Sequence, residues 1–573
     1  GEWYDDYDND KQYYLEGDIV SNITGDYGIS GDRVTNRVAG TGTLKFTLRN
    51  DASNQFELAG AYSPGHENCI PGWGKGTRIL VIVGYGYDEY WQNGEAFQVW
   101  GGFVDSVVPQ SNTHGEQRVE VTCTDWMRIA GAHSILTPEL VEGANISEAV
   151  DAILDTMVDA IPPADTYYNV SSGIEYPFVF DTVRANTKAL TEFKKLTDSE
   201  LGWIYIRPPS RAAFEAWWDN EDMRGITEVL VVDDRLTRQG TDTPLISKLK
   251  GDCGLFLTEA SEFILAEQQE LAYDPITEGV IEEDIYLKLD ETLSIDFTNK
   301  MTNLEVSYED IYNSITTKVY PRVIDAAATT VLATLDTPVA IEAHGSTSDT
   351  VFLTLTYRDP SNPNVRVAGK SMVDPVGSTD YQFFLNADGT GTDLTANLTV
   401  TATYYANKVE YELHNTGATA GYVTKLQARG KGIYTYNPVE YTVEDEDSIR
   451  EQGISALTID MKYQDEPVAG QVDADVILDF LRNPHLQAKK VYFNANYSSE
   501  MMNAFLGYTV GKKISLAETQ TGIDKDYYIN KVAFDIALGG IINFSWELTP
   551  ARIFTTTYWT LGVSELGEET YLG

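Results

Sequence analysis

Three aspartates near the start of the chain, Asp6, Asp8 and Asp10, have the 1-3-5 spacing of a calcium-binding loop. Such a loop wraps a hard cation with oxygen ligands at alternating positions. Here its glycine position holds Lys11 and its bidentate glutamate position holds Gly17, so the segment reads as a solvated acidic turn. A degenerate calcium site is the alternative. The six histidines, His66, His114, His133, His344, His414 and His485, fall mostly in turns or at strand ends and show no local partner pattern. There is no H-E-x-x-H and no G-x-S-x-G elbow, so a hydrolytic triad would have to come from scattered residues. Glu282-Glu283-Asp284 and Glu444-Asp445-Glu446-Asp447 read as exposed charge, or in the second case as the acidic first turn of a helix. With 87 acids in the chain, carboxylates close in sequence are no sign of a glycosidase pair. Gly40-Thr41-Gly42 and Gly72-Trp73-Gly74-Lys75-Gly76 lack the Ser or Thr after lysine that a P-loop needs, and read as strand connections. Cys69, Cys123 and Cys253 are far apart, odd in number and without a C-x-x-C pair, which argues against a disulfide scaffold or a zinc ribbon. The sequons at Asn22, Asn145 and Asn397 matter only in a secretory compartment. The expectation is therefore no catalytic, cofactor-binding or metal-ligating residue, no cofactor, and no enzyme.

The elements that would carry these residues are mostly strands. Thr43–Arg49 alternates apolar and polar, and Arg78–Val83, Phe97–Val104 and Arg118–Cys123 add further short strands. The period then changes. Ile146, Ala149, Val150, Ile153, Leu154, Met157 and Val158 make one helix face, with Asn145 and Glu148 spaced as a capping box. A second helix is expected from Asn186 to about Leu201 with Gly202 as its stop, then a strand over Trp203–Arg207. Residues 323–430 are rich in Thr, Ala, Val and Gly, with strands at Val351–Tyr357 and Leu398–Tyr405, a turn at Asp388-Gly389, and Gly430-Lys431-Gly432 as a return hinge. A short helix is expected from Ser448. A longer one over Val468–Leu481 would bury Val468, Val472, Val476, Ile477, Phe480 and Leu481, ending at Asn483-Pro484. Strands follow at Val491–Phe493, Lys513–Leu516, Tyr527–Val532 and Ile541–Leu548.

The fold class expected is mainly β with α+β. It comprises two tube-like β-barrel domains (1–130, and 246–322 with 431–550), a small α+β domain (131–245), an inserted β-sandwich (323–430) and a C-terminal arm (551–573). A chain of 573 residues has room for about three to five domains. Its 41 basic and 87 acidic residues leave a formal charge of −46, which makes it a poor electrostatic partner for nucleic acid or anionic lipid. The 42% apolar and 11% aromatic content excludes a disordered acidic polymer. No uncharged apolar run approaches the ~20 residues of a membrane span. The acidic, aromatic opening Gly1–Asp6 does not read as a signal peptide, and a first residue other than Met suggests processing or a start that lies outside this sequence.

Several stretches together resemble one family. Asp8-Asn9-Asp10, Gly31-Asp32-Arg33 and Ala39-Gly40-Thr41-Gly42 lead into the Thr43–Arg49 strand. Tyr62-Ser63-Pro64, Pro71-Gly72, Phe97–Asp105 and Val121-Thr122-Cys123-Thr124-Asp125 follow in order. The second half adds Val491-Tyr492-Phe493-Asn494, Gly511-Lys512-Lys513-Ile514, Tyr527–Val532 and Glu547-Leu548-Thr549-Pro550. This order resembles the tail hub, or minor tail and baseplate hub, proteins of long-tailed bacteriophages. The resemblance implies a structural virion protein at the tail tip. It would form a homotrimer that caps the tail tube and meets the tail tube or distal tail protein, the tape measure protein, and tail fibre or tip proteins. DNA would pass through its lumen without specific nucleic-acid binding, and the insert would offer a host-surface contact. An acidic lumen would let DNA slide; plain solubility or a saline habitat explains the acidity equally well. The rival readings are a secreted or surface carbohydrate-binding or adhesion protein, and a hub that also carries a cell-wall hydrolase.

Overall fold

The computed structural model describes residues 15–31, 36–85, 95–113, 116–209, 229–233, 256–257, 263–264, 297 and 300–551, apart from short breaks within 158–185, at 309–310, within 360–364, at 466 and at 483–485. The chain is mainly β, as the alternating patterns predict. Its N-terminal strands are β1 (Ile23–Gly28), β2 (Thr43–Arg49), β3 (Arg78–Tyr85), β4 (Glu95–Thr113) and β5 (Glu116–Thr124). A block of α1 (Met127–Ala132), β6 (Val141–Ala144), α2 (Ile146–Asp155), β7 (Asp165–Asn169), β8 (Tyr176–Val179), α3 (Ala189–Glu200), β9 (Trp203–Arg207) and β10 (Val229–Asp233) follows. After the two-residue strands β11 (Phe256–Leu257) and β12 (Phe263–Ile264) come β13 (Met301–Tyr308) and β14 (Ser314–Val319).

The N-terminal strands are joined by hydrogen bonds to strands from the end of the chain. One ten-stranded sheet runs β13-β26-β29-β28-β1-β2-β5-β4-β3, with β27 branching from β28, where β26 is Leu486–Asn494, β27 Lys513–Glu518, β28 Ile523–Ile536 and β29 Ile542–Pro550. The strands expected in two barrels are thus shared in a single sheet, and no closed barrel occurs among the described residues. The seam is the antiparallel pairing of β1 with β28, from Ile23 opposite Ile536 to Gly28 opposite Lys531. Two glycines permit it. A Cβ on Gly25 would lie 2.4 Å from the Phe534 ring, and one on Gly28, whose φ is +112°, would lie 2.4 Å from the Asn530 carbonyl. Beneath the C-terminal strands Phe493, Phe544 and Trp546 pack with ring centroids 5.0–5.3 Å apart. Phe505, from a helix over Ser499–Gly507 that the periodicity did not reveal, closes over Phe544 at 5.4 Å.

The α+β block follows the sequence more closely. Asn145 and Glu148 form the capping box, with amide-to-oxygen distances of 3.0 and 3.1 Å. β9 occupies Trp203–Arg207 as expected and is buried throughout, pairing antiparallel with β10, which in turn pairs parallel with β7. The stop of α3 differs from expectation: Leu201, not Gly202, takes the left-handed conformation at φ 61°. Its side chain is buried and its carbonyl accepts the Arg37 guanidinium at 2.9 Å, so tertiary contacts override the preference for glycine. The C-terminal segment docks on α3 through polar groups. The Tyr463 hydroxyl donates to Glu192, and the Tyr463 amide donates to Ser199 Oγ at 3.0 Å.

Residues 322–435 build a two-layer sandwich. One sheet gathers β15 (Arg322–Ile324), β16 (Thr330–Thr334), β17 (Val339–Ile341), β19 (Arg366–Val373) and β20 (Tyr381–Phe384) around β23 (Gly421–Thr435). The other is β18 (Thr350–Thr356), β22 (Lys408–Asn415) and β21 (Leu398–Tyr404), in that order. Phe383, Val423 and Leu426 from the first sheet share a buried cluster with Leu398, Tyr411 and Leu413 from the second. The expected hinge at Gly430-Lys431-Gly432 is not one. These residues lie inside the continuous fifteen-residue β23, paired to β16 and β19. A Cβ on Gly430 would stand 2.4 Å from Met372 Sδ, so the methionine side chain occupies the space the glycine leaves.

After the sandwich, β24 (Val439–Glu444) and β25 (Ala456–Met461) flank β14, with α4 (Glu446–Gln452) between them and α5 (Pro467–Leu481) packed on the sheet. The Ser499–Gly507 helix is α6. α5 buries Ile477, Phe480 and Leu481 as expected, but Val468 and Val472 are 68% and 54% exposed. The cause is Gly470. A Cβ there would lie 2.3 Å from Val319, and the Gly470 carbonyl accepts Thr317 Oγ1 at 2.7 Å, so the helix rests on its glycine and turns the two valines outward. Among the described residues no helix is long and apolar enough to cross a membrane.

Asp473 on α5 yields a pH test. Burial pushes its carboxyl up to about 7, with Arg37 pulling the other way. Between pH 3.8 and about 7 the folded chain holds a proton that the unfolded chain has lost, so this residue withdraws stability as pH rises through that window. Asp473→Asn should match the parent near pH 4 and unfold at a higher temperature above pH 7. A calorimetric difference that is the same at both pH values would contradict this.

Candidate functional site

The residues singled out in the sequence separate in space. Asp6, Asp8, Asp10, His114, His485, Cys253 and Glu282-Glu283-Asp284 lie outside the described residues, as does the 551–573 arm beyond Ala551. His66 is exposed in a turn, where its Nδ1 accepts the Asn68 amide at 3.1 Å. His133 caps the end of α1 through its amide. Gly72, Gly74 and Gly76 all have positive φ in the turn that launches β3, so that loop is a strand connection. Asp445 caps α4 by accepting the Ser448 amide at 2.8 Å, with Glu446 and Asp447 in the first turn. Cys69 and Cys123 are free thiols, and burial pushes Cys123 well up from its usual range. Asn22 donates to Asp535 at 2.9 Å, Asn145 is the α2 cap, and Asn397 ends a short 3-10 turn.

Among the described residues two arrangements remain, both on the inserted sandwich. The first is its seat. As the chain enters the insert, Arg322 Nε meets Asp181 Oδ2 at 2.8 Å and its Nη2 meets Oδ1 at 3.2 Å, with both side chains at most 1% exposed. The same guanidinium donates to the carbonyls of Tyr320 at 3.0 Å and Lys462 at 2.8 Å. Thr435 Oγ1, where the chain leaves the insert, donates to Asp181 Oδ2 at 3.1 Å. One carboxylate of the α+β block therefore holds both strands at the base of the insert. Around it Lys370 reaches Glu142 at 2.7 Å, the Ala406 amide donates to the Pro138 carbonyl at 3.1 Å, and Asn407 donates to the Val183 carbonyl. Phe178, Ala368 and Ile433 fill the gap.

The second arrangement is at the opposite end of β22 and β23. The β18–β22 register puts Thr350 opposite His414, and Asp349, just ahead of β18, lies beside the same histidine. The loop from β17 to β18 brings in His344. Its Nδ1 lies 3.4 Å from Asp349 Oδ2, and His414 Nδ1 lies 3.7 Å from Oδ1. The two imidazoles stand edge to face with centroids 5.4 Å apart. The Gly345 amide, followed by the Thr350 hydroxyl and the two imidazoles, holds the Asp349 carboxyl below its usual range. Sequence reasoning missed this cluster because His344 and His414 are brought together by register and by the loop before β18. The one available signal was His344 five residues ahead of an aspartate at the start of a strand.

Several solved structures align along most of this chain. A tail protein from Neisseria meningitidis matches at 7% identity and a TM-score of 0.40, covering 94% of each chain. The 43 kDa tail protein of prophage MuSo2 from Shewanella oneidensis matches at 8% identity and a TM-score of 0.39, covering 93% of this chain and 94% of its own. The prophage tail protein gp18 from Listeria monocytogenes matches at 8% identity and a TM-score of 0.33, over 96% and 94% of the two chains. These backbone neighbours are tail proteins. No protein-family model matches the sequence, and no curated protein matches it. At 7% and 8% identity no residue role passes from the neighbours to this chain.

The seat predicts a specific asymmetry. Asp181→Ala strands a buried guanidinium and should cost about 3–5 kcal/mol, whereas Asp181→Leu with Arg322→Met should cost much less. Denaturant titration of the three proteins checks it; equal losses would show that the charge pair is not what holds the insert.

Proposed function

We propose that this chain is a structural component of a phage tail, the hub at the tail tip, working by assembly and not by catalysis. The observation that carries the proposal is the shared sheet. Strands from both ends of the chain make one open, ten-stranded surface whose outer strands among the described residues are β3 and β13. An outer strand can pair with a neighbouring copy, and three copies set edge to edge would close a tube. Exposed apolar side chains away from the insert, Val468, Val472 and Ile454, suit further protein contacts. The order of strand and turn motifs shared with tail hubs supports the same reading. The partners proposed are the tail tube or distal tail protein, the tape measure protein, and fibre or tip proteins.

The charge is compatible with a DNA conduit. At −46 the chain offers little for phosphates to grip, so DNA would pass through the lumen instead of binding it. The inserted sandwich, held at its base by Asp181, would stand outside the ring, where a host surface is within reach.

Immunogold electron microscopy of source particles, with an antibody to this chain, tests the proposal. Label at the tail tip is expected. Label along the tube or on the head would refute the hub, and label on cells instead of particles would favour a surface adhesin. Lysis in a cell-wall zymogram would overturn the non-enzymatic part.

A further inference from the structure

We propose that His344, Asp349 and His414 bind one divalent transition-metal ion of the zinc class at the far end of the inserted sandwich. Each residue offers a donor atom, and the three lie within 4.8 Å of one another. In a tetrahedral zinc site with bonds of roughly 2.1 Å, neighbouring ligand atoms stand about 3.4 Å apart. His344 Nδ1 lies 3.4 Å from Asp349 Oδ2 and His414 Nδ1 lies 3.7 Å from Oδ1, so each imidazole already stands near that spacing from one carboxylate oxygen. Small rotations of two rings and one carboxylate bring the donors onto one ion.

The backbone that carries the ligands is tied down in advance. The His344 amide donates to the Gly417 carbonyl at 2.8 Å, and the Asn415 amide donates to the Asp349 carbonyl at 2.8 Å. Buried Asn415 also donates from its side chain to the Glu342 carbonyl at 2.7 Å. The two loops are therefore joined before any ion arrives, which lowers the cost of ordering the site. Thr350 Oγ1 lies 2.8 Å from His414 Nδ1 and 3.2 Å from Asp349 Oδ1. Metal at Nδ1 replaces the first of these bonds and leaves the second to orient the carboxylate.

The donor set selects the ion. Two imidazoles and one carboxylate suit zinc and its neighbours, whereas calcium and magnesium require a shell of oxygens. His344 is the most exposed of the three, with 59% of its side chain open, so water completes the coordination from that side.

Equilibrium dialysis of the full chain against zinc, followed by metal analysis, tests the site; cobalt absorption reports its geometry. One zinc per chain is expected, unaffected by excess calcium. His414→Ala and His344→Gln should each weaken retention about tenfold or more, while His66→Ala, at another exposed histidine, should not. Thermal unfolding of each variant checks that it is folded, and His344→Gln sits on an exposed loop where loss of fold is not expected. No zinc retained at micromolar concentration, or equal retention by parent and folded variants, would leave the cluster a plain surface ion pair and overturn the proposal.

Discussion

Six residues near the start of the chain, β1, hold its two ends in one sheet. Ile23–Gly28 lie between β2 and β28, with Thr24 facing Lys45 on one side and Asp535 on the other. Among the described residues the strand path from β2–β5 to β26–β29 runs through β1. Joining points some 500 residues apart costs about 5–6 kcal/mol in loop entropy if the intervening chain is loose. The order this implies is that the α+β block and the sandwich fold first and shorten the effective loop. The close approach at Gly25 and the positive φ at Gly28 then decide whether β1 can settle between its neighbours.

What was legible in the sequence was local. The capping box of α2, the strand at Trp203–Arg207, the two-sheet character of the Thr-rich block and the β bias of the whole chain all follow from propensity and period within a short window. What was hidden depends on partners distant in sequence. The two expected barrels share a sheet because β1 pairs with β28, and no pattern within either strand says so. Val468 and Val472 satisfy a helical period, yet the glycine two residues after the first sets the helix rotation by contact with Val319. Gly430 and Gly432 look like a hinge because glycine usually breaks strands. Here they make room for Met372 and Tyr434 side chains lying across the strand. α6 carried a readable cap at Ser498, which accepts the Met501 amide at 3.2 Å, but its short apolar face sits among strands. The His344–His414 cluster was the least accessible, since it takes both the β18–β22 register and the loop before β18 to create it.

The seat of the insert shows how an acidic chain uses its few cations. Arg322 satisfies one carboxylate and two carbonyls, which takes most of a guanidinium's donors. A buried pair of this kind adds little net stability over apolar replacements, but it accepts only one registration of the partners. Both connecting strands of the insert are read by the same aspartate, so the sandwich has one orientation on the α+β block.

β23 links that seat to the other end of the sandwich without a break. Thr435 bonds to Asp181 at one terminus, and Gly421 lies beside Ile341 at the other, close to the histidine pair. Fifteen residues of extended strand span about 50 Å. An extended backbone has almost no slack to give up, and both of its edges are laced to neighbours. The insert therefore behaves as a stiff mast stepped in the α+β block. A pull on its tip is carried along the strand to the base, where Asp181 holds both connecting strands, and is not absorbed by stretching along the way.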